Sequence, residues 1–224
     1  LAEGVAPGQI LVTGNTVIDA LLQTAERLQQ DEGLRARAAA AFDWLRHEAP
    51  LVLVTGHRRE SFGPGFEGIG RGLADLAASR PDLDIVYPVH LNPRVREPVA
   101  RLLGGLPNVR LIEPVDYLQL VYLLERCRIV ITDSGGIQEE APALGKPVLV
   151  MREKTERPEA IEAGTALLVG TDPRAIAVEA RRLLEDPEAY ARMSRAHNPF
   201  GDGHAAERIA EALAARFGPT GAAG

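Results

Sequence analysis

Six short, continuous apolar runs recur along the chain, separated by segments patterned like helices. The runs are Leu51–Thr55, Asp84–Pro88, Val109–Ile112, Ile129–Thr132, Pro147–Met151 and Ala166–Val169. Their β-branched content and lack of alternation predict strands buried on both faces, as in a parallel sheet. Between them, apolar residues return at helical spacing near Gly68–Ala78, Pro93–Leu103, Tyr117–Glu125, Gln138–Leu144 and Pro158–Ala163. Right-handed βαβ units built from this alternation give an α/β fold with a doubly wound, Rossmann-like parallel sheet.

The two ends read differently. Thr16–Gln30 is patterned as an amphipathic helix with Asn15 as its cap, and Leu34–His47 as a second, Ala-rich helix. Further helices are predicted near Pro173–Leu184, Pro187–Ser194 and Ala205–Phe217. The last follows His197-Asn198-Pro199-Phe200-Gly201-Asp202-Gly203, a density of turn residues that predicts a chain reversal. Residues 218–224 are expected to form a frayed tail. There is no internal repeat and no low-complexity tract.

Composition narrows the function classes. With 224 residues, 46% hydrophobic and 25% charged, the chain suits one large domain, or one domain with extra elements. A formal net charge of -6 argues against nucleic acid as the main partner. It leaves room for a phosphate ligand held by a local basic cluster. Cys127 is the single cysteine, so a disulfide framework and a Cys-rich zinc site are excluded. An inert core thiol suits it, and a cytoplasmic location fits. No apolar run approaches the roughly 18 residues of a membrane helix, and Leu1-Ala2-Glu3-Gly4 does not begin a signal peptide. No membrane association is expected. The chain does not start with Met, as expected of a piece of a longer protein.

Candidate chemistry clusters after the predicted strands. Asp133-Ser134-Gly135-Gly136-Ile137-Gln138-Glu139-Glu140 describes a strand end, a tight turn and a helix start. Unpaired N–H groups there, helped by the helix dipole, form an anion site, and the glycines let a phosphate approach the backbone. Ser134 adds a hydroxyl, and Glu140, one turn on, is placed to accept from sugar hydroxyls or to sit solvated. Thr55-Gly56-His57-Arg58-Arg59-Glu60 offers an imidazole and guanidiniums for phosphate oxygens, or else a solvated turn with a packed histidine. His90 also follows a strand, with Asn92-Pro93 as a helix start; it contacts a ligand or caps its turn. Arg157, ahead of Pro158, stands at a helix mouth as a phosphate ligand or a structural ion pair. Gly63-Pro64-Gly65-Phe66-Glu67-Gly68 has the dinucleotide spacing but begins seven residues after Gly56, and no acidic residue ends the next strand. It is read as a flexible loop that closes over a ligand. The five histidines show no paired helical spacing and no carboxylate cage is present, so no metal is expected. Ser134 lacks the strained nucleophile elbow, which leaves a Ser134–His57 hydrolase reading weak.

Several of these segments together resemble one family. Val12-Thr13-Gly14-Asn15-Thr16-Val17-Ile18-Asp19-Ala20-Leu21, Thr55-Gly56-His57-Arg58-Arg59-Glu60, Asp133-Ser134-Gly135-Gly136-Ile137-Gln138-Glu139-Glu140-Ala141-Pro142 and Thr155-Glu156-Arg157-Pro158-Glu159-Ala160 look like the non-hydrolysing UDP-N-acetylglucosamine 2-epimerases. Asn198-Pro199-Phe200-Gly201-Asp202-Gly203 resembles that family's C-terminal signature, usually seen with Tyr at the place of Phe200.

The resemblance implies a glycosyltransferase-B-like fold of two Rossmann-like domains, with this chain as the C-terminal, UDP-binding one. Residues 1–30 then form a leading interdomain segment, 31–196 the UDP-binding domain, and 197–217 a helix crossing toward an amino-terminal domain. That domain, with its proton-moving carboxylates, has no counterpart here. Members interconvert UDP-GlcNAc and UDP-ManNAc by eliminating UDP to a 2-acetamidoglucal and adding it back, without a cofactor, and are usually homodimers. The resemblance puts His57 beside the diphosphate as the catalytic group, Ser134, Gly135 and Gly136 on the phosphates, Glu140 on the ribose and Arg157 on the uridine–phosphate side. Arg58 and His90 match residues touching a second, activating UDP-GlcNAc. Leu120 departs from the aromatic residue that relatives often place near the uracil. A UDP-sugar glycosyltransferase of the same fold and a non-catalytic nucleotide-binding domain are the alternatives.

Overall fold

The computed structural model describes residues 3–217; the expected tail at 218–224 lies outside the described residues. Each apolar run becomes a strand: β1 (Leu51–Thr55), β2 (Asp84–Pro88), β3 (Val109–Ile112), β4 (Ile129–Thr132), β5 (Val148–Val150) and β6 (Ala166–Leu168). They form one wholly parallel sheet in the order β3-β2-β1-β4-β5-β6. Chain order runs outward from β1 to one edge and then from β4 to the other. The crossover from β3 to β4 therefore makes a switch point between β1 and β4, where loops diverge at the carboxyl ends.

The continuous apolar character of the strands follows from coverage on both faces. Val52, Val54, Ile129, Ile131, Leu149 and Met151 point into one core, under α3 (Pro64–Ser79), α4 (Pro93–Leu103) and α8 (Pro173–Glu185). Their neighbours Leu51, Leu53, Val130, Val148 and Val150 point into the other. That second core is closed by α1 (Thr16–Gln30), α2 (Glu32–Ala39), α5 (Tyr117–Arg126), α6 (Gly135–Ala143) and α7 (Pro158–Glu162). Each side chain of this size that becomes fully buried contributes about 1.5–3 kcal/mol. At the two predicted helix starts Asn15 accepts from Val17 N and Asn92 from Arg94 N, and Asp116, not foreseen from sequence, closes a capping box with Gln119.

Two expectations need correction. The Gly63–Gly68 stretch is not a loop, because Gly63 caps α3 and Pro64 begins it. Gly63 takes a positive φ of 76° at the cap, and the glycines inside α3 are there for packing. A Cβ on Gly68 would strike the Thr171 carbonyl, and one on Gly72 would lie 2.8 Å from the Pro173 carbonyl, so α3 and α8 meet backbone to backbone. The predicted helix over Leu34–His47 ends early, as α2 and then a 3₁₀ turn at Ala40–Phe42. Asp84, at the start of β2, pulls the chain away by accepting from Arg46 N and Arg46 Nε, both at 2.9 Å.

Beyond α8, α9 (Pro187–Ser194) leads to the turn-rich segment and α10 (Ala205–Phe217). Asp19, buried in α1, accepts from Ala206 N at 2.9 Å and fixes the start of α10. Ile209, Leu213 and Phe217 of α10 are exposed, as are Ile10, Leu11 and Val12. Cys127 is buried and its thiol is pushed up to about 12 by that burial, which makes it unreactive. Among the described residues no helix is long and apolar enough to cross a membrane.

Candidate functional site

The switch point places two predicted clusters side by side. β1 pairs with β4 in register Thr55↔Thr132, and the two hydroxyls meet at 2.6 Å. The chain leaves β1 as Gly56-His57-Arg58 and leaves β4 as Asp133-Ser134-Gly135-Gly136. A single carboxylate oxygen ties these turns together: Asp133 Oδ2 accepts from His57 N and Arg58 N, both at 2.8 Å. Asp133 is wholly buried, and its Oδ1 lies 3.6 Å from His57 Nδ1. Gly56 makes room for this closure. Its carbonyl accepts from the Tyr87 hydroxyl at 3.1 Å, and a Cβ there would sit 2.8 Å from that oxygen.

Past Asp133 the chain enters α6 with Ser134 as the capping residue. The Ser134 hydroxyl makes no capping bond, while Ser134 N donates to Thr132 Oγ1 at 2.9 Å. The first N–H groups of α6 thus face outward without an intrahelical acceptor. Guanidiniums flank them. From the direction of a Gly135 Cβ, Arg58 Nη2 lies 3.7 Å away and Arg157 Nη2 3.9 Å. Dipole, N–H groups and two fixed cations converge on one spot, a geometry suited to phosphate oxygens. His57, with its side chain 48% exposed, borders the same mouth and stacks on His90 with ring centroids 5.6 Å apart. His90 Nδ1 accepts from Asn92 N at 3.1 Å, so this ring does cap its turn.

The arginines are held from behind. Arg157 Nε donates to Glu139, which also accepts from Asn15 Nδ2. Arg157 N donates to Thr155 Oγ1, whose hydroxyl donates in turn to Gln138 Oε1. Arg58 pairs with Glu156 at 3.3 Å. Glu156 is held down to about 2, chiefly by its hydrogen bonds from Arg152, and stays ionised opposite Arg58. Asn15 N donates to the Phe200 carbonyl at 2.9 Å, so the leading segment and the turn-rich segment meet behind the same carboxylate. Glu140 is buried beside Glu139, and its carboxyl is raised by burial first and by that neighbour second.

Of the residues named from sequence, His57, Ser134, Gly135, Gly136 and Arg157 come together at the mouth, with Glu140 one turn below and Arg58 on its rim. His90 joins only through its stack on His57. Leu120 packs against the second core. Sequence reasoning missed Asp133 and Glu139 as organisers. Each looks like an ordinary carboxylate until the fold brings it to partners 76, 124 and 18 residues away. Among the described residues no group of three or more His, Cys, Asp or Glu is placed to hold a metal ion.

The comparisons with known proteins bear on family and fold. The profile described as UDP-N-acetylglucosamine 2-epimerase matches residues 1–214. The UDP-N-acetylglucosamine 2-epimerase of Escherichia coli is 57% identical over 213 residues, which cover 95% of this chain and 57% of that protein. The Neisseria meningitidis UDP-GlcNAc 2-epimerase bound to UDP-GlcNAc superposes with a TM-score of 0.89 at 45% identity, covering 95% of this chain and 57% of that one. The Methanocaldococcus jannaschii enzyme in complex with UDP-GlcNAc and UDP gives 0.77 at 30% identity, over 96% and 57% respectively. The chain thus spans a little over half the length of these relatives. The match over nearly all its residues, with a fold that superposes on solved relatives, shows that the chain belongs to the UDP-N-acetylglucosamine 2-epimerase family.

Proposed function

We propose that the full-length protein interconverts UDP-GlcNAc and UDP-ManNAc by eliminating UDP to a 2-acetamidoglucal and adding it back. This chain, as its C-terminal part, supplies the UDP-binding half. The observation that carries the reading is the uncapped start of α6 between Arg58 and Arg157 with His57 at its edge. In this reading Ser134, Gly135 and Gly136 hold the diphosphate, Arg157 neutralises it, Glu140 accepts from the ribose and His57 assists the leaving oxygen. Arg58 and His90 also serve a second UDP-GlcNAc, and α10 crosses to an amino-terminal domain that brings the acid–base carboxylates. Homodimerisation belongs to the same proposal and rests on the family resemblance; a cytoplasmic location is proposed from the single, buried Cys127.

The test is an isotope experiment. Full-length protein given UDP-GlcNAc in D2O is expected to yield UDP-ManNAc carrying deuterium at C2, and this chain alone neither product nor exchange. Exchange by the chain alone would overturn the division of labour, whereas an inert full-length protein that transfers sugar to an acceptor would point to a glycosyltransferase.

The environment of Glu140 gives a pH prediction. Its folded carboxyl titrates above the ordinary range, so the stability it contributes is present at low pH and lost as pH rises through that raised value. A ribose hydroxyl donates more strongly to the ionised carboxylate than to the neutral acid. UDP affinity is therefore expected to rise as pH increases through the Glu140 titration, and to stay flat over that window in Glu140→Gln. Calorimetric titrations of UDP across the acid range check this; identical profiles for the two proteins would remove Glu140 from the ribose.

A further inference from the structure

We propose that Asp133 is the positioning residue for His57: it holds the ring with the proton on Nδ1 and leaves Nε2 to meet the ligand. The inference rests on the epimerase reading only for the consequence in turnover. The geometry is independent of it. Asp133 Oδ2 is occupied by the N–H groups of His57 and Arg58, each at 2.8 Å. One oxygen suffices to hold that turn, and a neutral amide oxygen would hold it too. The second oxygen, Oδ1, is fully buried and has no hydrogen-bond partner among the described residues. Buried carboxylate oxygens are ordinarily satisfied, and His57 Nδ1 stands 3.6 Å away, slightly beyond bonding distance.

The surroundings favour one solution. Tyr87 directs its hydroxyl to the Gly56 carbonyl, so it does not serve Oδ1. Arg58 turns its guanidinium to Glu156. His90 stacks nearly parallel to His57, at 16°, and leaves that ring's edge free. A small rotation of His57 closes the Nδ1–H···Oδ1 bond, which fixes the tautomer and favours the imidazolium when Nε2 takes a proton. Donation from a protonated Nε2 to a diphosphate oxygen is the event that would bring the ring to that position, with Asp133 facing the Nδ1–H of the imidazolium.

The test uses Asp133→Asn, which keeps an oxygen for the two N–H groups and turns an amide N–H toward Nδ1. With histidine labelled in 15N, the neutral ring of His57 in this chain is expected to be the Nδ1–H form, and in Asp133→Asn the Nε2–H form. In the full-length enzyme the same change is expected to lower kcat about 100-fold with KM shifted less than about threefold, the pattern of a lost tautomer rather than a lost fold. An Nε2–H tautomer in the unmodified chain, or an unchanged tautomer in Asp133→Asn, would overturn the assignment whatever the enzyme does. If the tautomer switches as expected but full-length protein never epimerises UDP-GlcNAc, the functional reading fails and the positioning role stands.

Discussion

Replacing His57 by Gln in the full-length protein is expected to lower the rate of C2 epimerisation by about 10²–10⁴, the usual worth of a positioned acid–base group. The affinity for UDP should change by only a few-fold. The asymmetry comes from where the ring sits. It borders the mouth of α6 and stacks on His90 outside the sheet, so it supports no core and its removal leaves both apolar layers intact. In the proposed reading the charge of the diphosphate meets Arg58, Arg157 and the helix start instead, where the two guanidiniums flank Gly135. A Gln side chain still donates a hydrogen bond but cannot take and return a proton near neutrality. Steady-state rates in both directions, with circular dichroism to verify the fold, settle the matter; a kcat within twofold of the unmodified enzyme would remove His57 from the chemistry.

The second large effect is expected from one methyl group. Gly135 is buried at the first turn of α6, and a Cβ built on it meets nothing closer than the guanidinium of Arg58 at 3.7 Å. Gly135→Ala should therefore fold with an unchanged or slightly raised Tm, since Ala is the better helix former. The methyl nevertheless stands beside the two cations, in the space that the proposed function gives to a phosphate oxygen. Losing one charge-assisted hydrogen bond is worth about 1.5–3 kcal/mol, or about a 10- to 150-fold rise in the Kd for UDP. Gly136→Ala is the control. Its Cβ finds only the Ser134 hydroxyl, at 3.9 Å, and points away from the guanidiniums, so a distinctly smaller loss is expected. Equal losses in the two variants, read by calorimetry, would mean that the phosphate does not lie between Arg58 and Arg157.

The sheet was legible in the sequence because a strand buried on both faces leaves a compositional trace. Val52, Leu53 and Val54 must all be apolar when successive side chains enter different cores. The site's location was legible for a related reason, since His57 and the Ser134 turn both follow such runs directly. Tertiary relations left no comparable trace. The Gly63–Gly68 stretch reads as a flexible loop because the backbone that Gly68 accommodates belongs to Thr171, about a hundred residues on. The second helix was overextended because its terminator, Asp84, lies on another element. Asp133 and Glu139 stood within the most informative segment of the chain, yet their roles depend on which donors reach them. Asp133 collects N–H groups from the neighbouring turn, and Glu139 is shared by Asn15 and Arg157.

The hydrogen bond from Asn15 to the Phe200 carbonyl has a practical consequence for engineering. It brings together two points of the chain separated by the whole sheet. Residues 15–200 are thus a unit with adjoining ends, the geometry that tolerates circular permutation and insertion into a surface loop of another protein.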